Sequence, residues 1–411
     1  MSHSQNRRRF LGAVSLGILS SPLLGRTLLA ETFNGAGLLK RWPDGGPNRK
    51  WRTEGIGEGY ATVSIADDRI YTAGNIDADT VITAMDMSGK ILWQAKNGPA
   101  YRRSFPGARA TPMIADGELY HLGADGDLAC LDAATGQRIW SLNILDKFDG
   151  RNTIWGLSES VLIDGDRVIA QPGGKEIGVV ALDRLTGKTI WKCTGIGDQP
   201  GYTAPIIVDY AGLRQYITLT SAAAVGISTE SGKLLWRYEH PVRYDVNIVT
   251  PIYHDGHVAL FGTWGRGATQ LKLNVDSDRC KIEEVWRTEE LDNEHGGVVL
   301  VDGYLYGHAD GNHRHRHWAC LDWRTGKTAY SVPGLPVKRS ATTTYADGML
   351  YLVSDQGEVA LVEATPDQYE ITSRFRLPME SDSPAWAHPV IREGIFYLRH
   401  GSYLYAYDIR R

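Results

Sequence analysis

Three histidines alternate with two arginines in one short segment, HADGNHRHRHW at residues 308–318. In an extended strand, His313, His315 and His317 would project from the same face, because successive side chains of a strand point to opposite faces. Three imidazoles on one face are ligands that zinc or copper accepts in proteins. The segment is therefore a candidate metal site, and a solvated hairpin tip is the alternative.

A second set of candidate residues recurs at a fixed distance before a turn. An acidic residue, usually followed by glycine, marks this turn, and successive markers are 45 to 49 residues apart. The markers are Asp67, Asp116, Asp164, Asp209, Asp255, Asp302, Asp347 and Glu393. The positions seven residues before them are Tyr60, Arg109, Leu157, Tyr202, Ile248, His295, Ser340 and Trp386. Five of these eight are aromatic, His or Arg, residue types that stack on rings or bind polar groups.

Residues next to these positions extend the candidate set. With those neighbours, the predicted ligand-binding residues are Tyr60, Arg109, Tyr202, Asn247, His295, Arg339, Trp386 and His388, and Glu294 lies beside them. They would bind a polar or anionic ligand between aromatic walls. In a catalytic interpretation, His295, Tyr202 and Arg109 would serve as acid, base and charge stabiliser. The alternative is a water-filled channel that polar residues line without any ligand.

One repeated unit must position these residues. A run such as ARATPMIADGELYHLGADGDLACLDAATGQRIW at 108–140 reads as four strands joined by glycine-containing turns. Four antiparallel strands every 40 to 50 residues are typical of a propeller blade. The last unit stops after three strands, and NRKWRTEG at 48–55 offers the fourth. We therefore predict an all-β, eight-bladed propeller of four-stranded antiparallel blades over 48–411, closed by pairing of the N-terminal strand with the C-terminal blade.

Most units end in a strand that carries a tryptophan. These residues are Trp51, Trp93, Trp140, Trp191, Trp236 and Trp286. In several units a Thr-Gly turn precedes the tryptophan, and glycine tolerates the positive φ that such a tight turn needs. The indole rings are expected to pack between neighbouring blades, which is a structural role.

The segments ALDRLTGKTIW, ACLDAATGQRIW and SGKLLW resemble the tryptophan-docking motif of pyrroloquinoline-quinone (PQQ) type propeller repeats, over residues 48–411. That family includes quinoprotein alcohol dehydrogenases and a propeller lipoprotein of outer-membrane protein assembly. The resemblance implies either a binding scaffold or an oxidoreductase that uses PQQ with calcium. The chain departs from the dehydrogenase pattern, because it has no adjacent cysteine pair and no matching motif for the calcium-binding carboxylates.

Composition excludes other classes of protein. The chain has 411 residues, a formal net charge of −4 and interspersed charges, so it lacks the basic surface that nucleic-acid binding requires. Its four cysteines, Cys130, Cys193, Cys280 and Cys320, are far apart in sequence, and we expect buried free thiols.

The first thirty residues have a different character. Arg7, Arg8 and Arg9 precede Phe10-Leu11, a short apolar stretch and a small residue, Ala30. This pattern resembles a twin-arginine export signal, with a linker at 31–47, and the apolar stretch is short for a membrane span. We expect an exported, periplasmic or cell-envelope protein without a membrane span in the mature chain.

The functional prediction is a soluble binding or scaffold module. Its channel mouth and loops would take a protein, a small molecule or a carbohydrate. One alternative is a PQQ-dependent-like alcohol or aldose oxidoreductase, in which the quinone would lie against Trp386, Arg109 would hold its carboxylates and His295 would act as base. The second alternative is a polysaccharide lyase or hydrolase.

Overall fold

A computed structural model describes residues 37–310 and 316–411, and 32 strands in this part of the chain form eight four-stranded antiparallel sheets. The predicted export signal at 1–30 and the start of the predicted linker lie outside the described residues. Consecutive strands are neighbours in seven of the eight sheets. The predicted eight-bladed propeller is therefore confirmed.

The strands of the first four blades follow one another along the chain. Blade one contains β2 (Ser64–Ala66), β3 (Arg69–Ile76), β4 (Asp79–Asp86) and β5 (Ile91–Pro99). Blade two contains β6 (Met113–Ala115), β7 (Glu118–Leu122), β8 (Asp127–Asp132) and β9 (Arg138–Asn143). Blade three contains β10 (Leu162–Asp164), β11 (Arg167–Ala170), β12 (Ile177–Asp183) and β13 (Thr189–Thr194). Blade four contains β14 (Ile206–Tyr210), β15 (Leu213–Leu219), β16 (Ala223–Ser228) and β17 (Leu234–Glu239).

The next three blades repeat this order. Blade five contains β18 (Ile252–His254), β19 (His257–Gly262), β20 (Gly267–Asp276) and β21 (Arg279–Thr288). Blade six contains β22 (Val298–Val301), β23 (Tyr304–Ala309), β24 (His317–Asp322) and β25 (Thr328–Val332). Blade seven contains β26 (Ala341–Ala346), β27 (Met349–Ser354), β28 (Glu358–Glu363) and β29 (Ile371–Arg376). Two helical turns interrupt the strands, α1 (Ile144–Phe148) and a 3₁₀ turn at Arg243–Asp245.

Blade eight joins the two ends of the chain. It contains β30 (Val390–Arg392), β31 (Ile395–His400), β32 (Tyr403–Asp408) and β1 (Asn48–Thr53). The N-terminal strand β1 pairs antiparallel with β32, from Asn48 opposite Asp408 to Thr53 opposite Leu404. This pairing closes the ring as predicted, and it removes the edge that an open array of blades would expose.

The hydrophobic core lies between adjacent blades. One core cluster, for example, joins Tyr120 and Leu128 of blade two to Val168 and Leu182 of blade three. The described part of the predicted linker, residues 37–47, also belongs to the core. Leu38 bridges to Arg410, and Trp42 is buried against the rings of Tyr351, Phe375 and Phe396, so this segment packs across blades seven and eight instead of running free.

Five of the six tryptophans chosen from the sequence donate a hydrogen bond to the following blade. Trp140 Nε1, for example, donates to the carbonyl of Arg184 at 2.7 Å. The acceptors for Trp51, Trp93, Trp191 and Trp286 are the carbonyls of Met87, Ala133, Thr229 and Trp323. Each indole lies against a turn glycine of the next blade, where a side chain would collide with the ring.

Trp236 behaves differently from the other five. Its Nε1 donates to Gln215 Oε1 at 2.6 Å inside blade four, and its ring lies over Gly226 of the same blade. Blade five joins β20 to β21 through Ser277 and Asp278 and has no Thr-Gly turn at this place to receive an indole. The indole N–H of Trp236 is therefore bonded within its own blade, while its ring belongs to a core cluster with Val258 and Leu260 of blade five.

The packing of the indoles on turn glycines predicts that replacing such a glycine by alanine lowers the unfolding free energy, by an amount that depends on the position. A Cβ atom at Gly136 would lie 2.6 Å from Cε3 of Trp93, whereas a Cβ atom at Gly117 would meet nothing within 4 Å. Both glycines have positive φ, so both alanine variants carry the left-handed penalty of roughly 1–2 kcal/mol. We expect Gly136→Ala to lose a further ~1–3 kcal/mol of unfolding free energy from overpacking, measured by denaturant titration. Equal losses in the two variants would contradict tight docking of Trp93.

The cysteines are buried free thiols, in line with the sequence. Burial raises the pKa of Cys130 to about 11, so its thiol stays protonated and behaves as a core side chain. Within the described residues, no helix has both the length and the apolar character that crossing a membrane requires.

Candidate functional site

A cavity of about 610 Å³ lies where the segments that lead into the innermost strands converge. All eight blades line it, so it occupies the mouth of the central channel, and we call it the mouth cavity. In blade order, one lining residue from each blade is Tyr60, Arg109, Ser158, Tyr202, Ile248, His295, Arg339 and Trp386. The volume falls within the range of roughly 300–1,000 Å³ that is usual for small-molecule pockets.

The structure brings seven of the eight sequence-predicted ligand residues to the mouth cavity. They are Tyr60, Arg109, Tyr202, His295, Arg339, Trp386 and His388. Asn247 does not line it, because its buried amide donates to the carbonyls of Thr220 and His240 and holds the chain behind the wall. The counted positions Leu157 and Ser340 are likewise buried and do not line the cavity.

Four aromatic residues of the wall were not found from the sequence. They are Phe105, Trp155, Tyr244 and Trp264, which lie in connections between strands. These connections differ in length and composition from blade to blade, so the repeat gives no register for them. Without that register, an aromatic residue in a loop carries no signal of its own.

Trp386 is at the centre of an aromatic cluster on one side of the mouth cavity. The His295 ring stacks on it at 4.2 Å with an interplanar angle of 7°. Tyr60 and Phe105 meet it at tilted angles, with centroid distances of 5.4 and 4.9 Å. The indole is only 8% exposed, and its Nε1 has no hydrogen-bond partner within the described residues.

An unpartnered buried donor is costly, by roughly 1–3 kcal/mol. Thr343 also lines the mouth cavity, and its buried Oγ1 lacks a partner in the described part of the chain. Both residues line the same cavity.

Arg109 organises a loop of the wall. Its guanidinium donates to the carbonyls of Ser104, Phe105 and Gly107 at 3.1, 2.9 and 2.7 Å, and it stacks on Tyr101 at 4.0 Å. Desolvation by burial lowers the pKa of Arg109. Most of its donors are therefore committed to the protein, so the structure gives Arg109 a positioning role and does not support its use as a holder of ligand carboxylates or as a charge stabiliser.

The two histidines of the site are linked through the backbone. His388 Nε2 donates to the carbonyl of His295 at 2.7 Å, and burial lowers the pKa of His388, which keeps its ring neutral. Burial also raises the pKa values of the Tyr60 and Tyr202 phenols. The wall also contains two arginines, Arg109 and Arg339, and one carboxylate, Glu294, among many rings and hydroxyls.

The residues of the mouth cavity do not fit PQQ with calcium. The His295 ring covers one face of Trp386, so a quinone cannot stack on that face. Calcium takes six to eight oxygen ligands, and Glu294 is the sole carboxylate among the described residues of the wall. The placement of PQQ against Trp386, with Arg109 on its carboxylates, is therefore not supported.

The histidine-rich segment is only partly described. His313 and His315 lie outside the described residues. His317 lies in β24, where its Nε2 is 2.7 Å from Glu290 Oε2. No group of three or more metal-ligating side chains occurs in residues 37–310 and 316–411, and the predicted metal site stays a prediction.

A buried carboxyl beside the mouth cavity makes stability depend on pH. Glu159 lies between the lining residues Ser158 and Ser160, and its oxygens accept from Gln171 N at 2.7 Å and Nε2 at 2.8 Å. Desolvation raises its pKa from 4.5 to about 7, against these hydrogen bonds. As the pH rises, the unfolded chain therefore releases this proton at a lower pH than the folded chain does. The free energy of unfolding falls as the pH rises from about 4.5 to about 7.

We expect the Glu159→Gln variant to lose this pH dependence, because glutamine cannot ionise. Unfolding free energies at about pH 5 and about pH 7.5 measure the effect. The exposed turn residue Glu230 supplies the control, since Glu230→Gln should keep the wild-type difference between the two pH values. An unchanged difference in Glu159→Gln would contradict a raised pKa of Glu159.

Comparisons with known proteins agree with the fold. The family model described as "Outer membrane protein assembly factor BamB" matches residues 25–161 and 78–332. A quinoprotein ethanol dehydrogenase of Pseudomonas aeruginosa is 34% identical over 118 residues, which cover 27% of this chain and 19% of that enzyme. Outer membrane protein assembly factor BamB of Kangiella koreensis is 25% identical over 191 residues, 43% of this chain and 42% of that protein.

A solved structure shows the same architecture over a larger share of the chain. BamB from Moraxella catarrhalis superposes with a TM-score of 0.57 at 14% sequence identity, over 88% of this chain and 97% of that one. The sequence matches to the two relatives span less than half of either relative's length. Because the family model covers well over half of the chain, this protein belongs to the PQQ-type propeller family that the model describes by outer membrane protein assembly factor BamB.

Proposed function

We propose that this chain is a binding protein that holds a small ring-bearing ligand in the mouth cavity. The observation that carries the proposal is the buried, unpartnered indole N–H of Trp386 within a wall of aromatic side chains. Aromatic faces bind the faces of a ring, and a few convergent polar groups fix its orientation. Arg109 is committed to backbone carbonyls and Arg339 packs on the Phe105 ring, which favours binding over acid–base chemistry.

A titration followed by tryptophan fluorescence and calorimetry tests this function. Trp155, Trp264 and Trp386 line the mouth cavity, so an occupying ligand should change the emission. Suitable probes are maltotriose, chitotriose and trigalacturonate, with flavin mononucleotide as a flat aromatic probe. Binding of at least one probe with saturable heat is expected. A folded sample that gives neither heat nor a fluorescence change with any probe would contradict the proposal.

The quinoprotein function is the main alternative, because several relatives are quinoprotein dehydrogenases by name. Reconstitution with PQQ and calcium distinguishes it. We expect no dye reduction with alcohols or aldoses, since the described wall offers a single carboxylate, Glu294, for the calcium that accompanies this cofactor. Substrate-dependent dye reduction would overturn this expectation.

A lyase or hydrolase acting on polysaccharide is the other enzymatic alternative. Glycoside hydrolysis ordinarily needs two carboxyl groups across the bond that is cleaved. The described wall supplies Glu294 alone, and Arg109 is occupied by backbone carbonyls. If an active glycan were found, His295→Ala should abolish product release under this alternative.

We also infer export to the cell envelope. The support is the twin-arginine-like pattern of residues 1–30 and the outer-membrane role in the name of the matching family. Because that name refers to protein assembly, a protein partner that binds the mouth and loops is an alternative to a small ligand. Accumulation of the processed chain in the periplasm, and its retention in the cytoplasm when Arg7 and Arg8 are both replaced by lysine, would be the expected result.

A further inference from the structure

Three aromatic residues of the mouth cavity adopt a backbone conformation that bulky residues avoid. Phe105, Tyr244 and Trp264 have φ values of 53°, 62° and 54°. Most other non-glycine residues with positive φ in the described chain are aspartates and small or polar residues in turns, such as Asp116 and Ser277. Aspartate tolerates this region because its short side chain bonds locally, whereas a large ring there is strained.

Neighbouring groups hold Phe105 in this conformation. Its carbonyl accepts from Arg109 Nη2 at 2.9 Å. Its ring lies between Trp386, at 4.9 Å, and the Arg339 guanidinium, at 5.2 Å. The surrounding structure therefore fixes the direction in which this ring faces the cavity.

Tyr244 and Trp264 support each other. Their rings meet edge to face at 5.4 Å and 83°, and the Arg243 guanidinium lies 4.7 Å from the Tyr244 ring. The backbone N–H of Gly265 donates to Asp292 Oδ2 at 2.8 Å, which anchors the turn after Trp264. Strained residues that are held in this way concentrate at ligand clamps.

Phe105, Tyr244 and Trp264 lie on more than one side of the cavity. Phe105 precedes blade two, whereas Tyr244 precedes blade five and Trp264 lies within it, and these blades are three apart in a ring of eight. The rings therefore reach the central space from different sides.

The orientation of the wall rings favours a thick ligand over a flat one. Apart from the closed His295–Trp386 stack, the contacting ring pairs of the described wall meet at angles between 39° and 83°. A flat aromatic molecule needs an open parallel slot, whereas a sugar ring packs its C–H faces against rings at many angles. Lining hydroxyls such as Thr111, Ser160 and Thr250, and the N–H of Trp386, suit sugar hydroxyls.

We propose that Phe105, Tyr244 and Trp264 form a clamp that grips a saccharide in the mouth cavity. This inference rests on the proposed binding function and names its ligand class. The contacts around the three residues hold their backbones in the strained conformation and so orient their rings.

The first arm of the test needs no ligand. At ordinary φ a glycine variant is less stable than the alanine variant, and at left-handed φ the order reverses. We expect Phe105→Gly and Trp264→Gly to melt at higher temperatures than Phe105→Ala and Trp264→Ala. The exposed rim residue Ile154, which lies outside the positive-φ set, supplies the matched pair, in which the alanine variant should melt higher. Glycine variants that melt below the alanine variants at both clamp positions would overturn the inference.

The second arm measures binding of maltotriose, chitotriose and trigalacturonate by calorimetry, with flavin mononucleotide as the flat probe. We expect the wild type and Ile154→Gly to bind a trisaccharide, and Phe105→Gly and Trp264→Gly to bind it at least ~10-fold more weakly. Saccharide affinity that is unchanged in both glycine variants would contradict the clamp but not the proposed binding function. Binding of the flavin without any saccharide would overturn the ligand class, and a wild type that binds no probe would contradict the proposed function itself.

Discussion

The Trp386→Ala variant is expected to bind the ligand of the mouth cavity at least ~100-fold more weakly than the wild type, because a central, buried aromatic residue dominates the energy of such sites. The substitution removes the surface against which His295, Tyr60 and Phe105 pack. It also removes the only side-chain N–H of Trp386, which no described residue accepts. Both the shape of the cavity and a polar contact are lost together.

Conservative and distant variants separate these contributions. Trp386→Phe keeps a ring against His295 but removes the N–H, so we expect a loss of roughly 10-fold for one hydrogen bond. Trp51→Phe removes an indole from an outer strand and should leave the affinity unchanged. Calorimetric titration with the best trisaccharide measures all three variants. Wild-type affinity in Trp386→Ala would exclude the cavity as the binding site.

The largest effect on stability is expected from replacing Arg399. This buried side chain in blade eight donates to the carbonyls of Gly57 and Ala61 in the segment leading into blade one, of Ala73 in β3 and of Gly401 in its own blade. It has no carboxylate partner among the ion pairs of the described residues, and desolvation lowers its pKa to about 10. Arg399 therefore reinforces the junction at which the ring closes.

The Arg399→Met variant should lose on the order of 4 kcal/mol of unfolding free energy, because several buried carbonyls would each lose a donor at about 1–3 kcal/mol. Denaturant titration of the folded variant measures the loss. Arg410→Met is the control, since Arg410 is exposed and pairs with Asp408 on the surface, and exposed ion pairs contribute about 0–1 kcal/mol. A loss in Arg399→Met as small as that of the control would show that blade eight closes without this residue.

The regular part of the site was accessible from the sequence because the repeat supplies a register. Counting back from the acidic turn markers reached Tyr60, Arg109, Tyr202, His295 and Trp386, and all five line the mouth cavity. The count fails at Leu157 and Ser340, which the structure buries. The count also cannot show that the Arg109 guanidinium donates to carbonyls of the loop at 104–107. These hydrogen bonds depend on the conformation of the loop, which the repeat does not specify.

The sequence by itself determined the number of blades, their strand order and the closure by residues 48–53, because turn chemistry and alternation are local and recur in every unit. The tertiary structure decided which rings face the cavity. Phe105 lies in the loop before blade two, and Tyr244 and Trp264 lie in loops before and within blade five. Their orientation depends on neighbours far along the chain, such as Trp386 and Asp292. Trp236 shows the same limit, since its docking depends on a turn in the next blade that departs from the repeat.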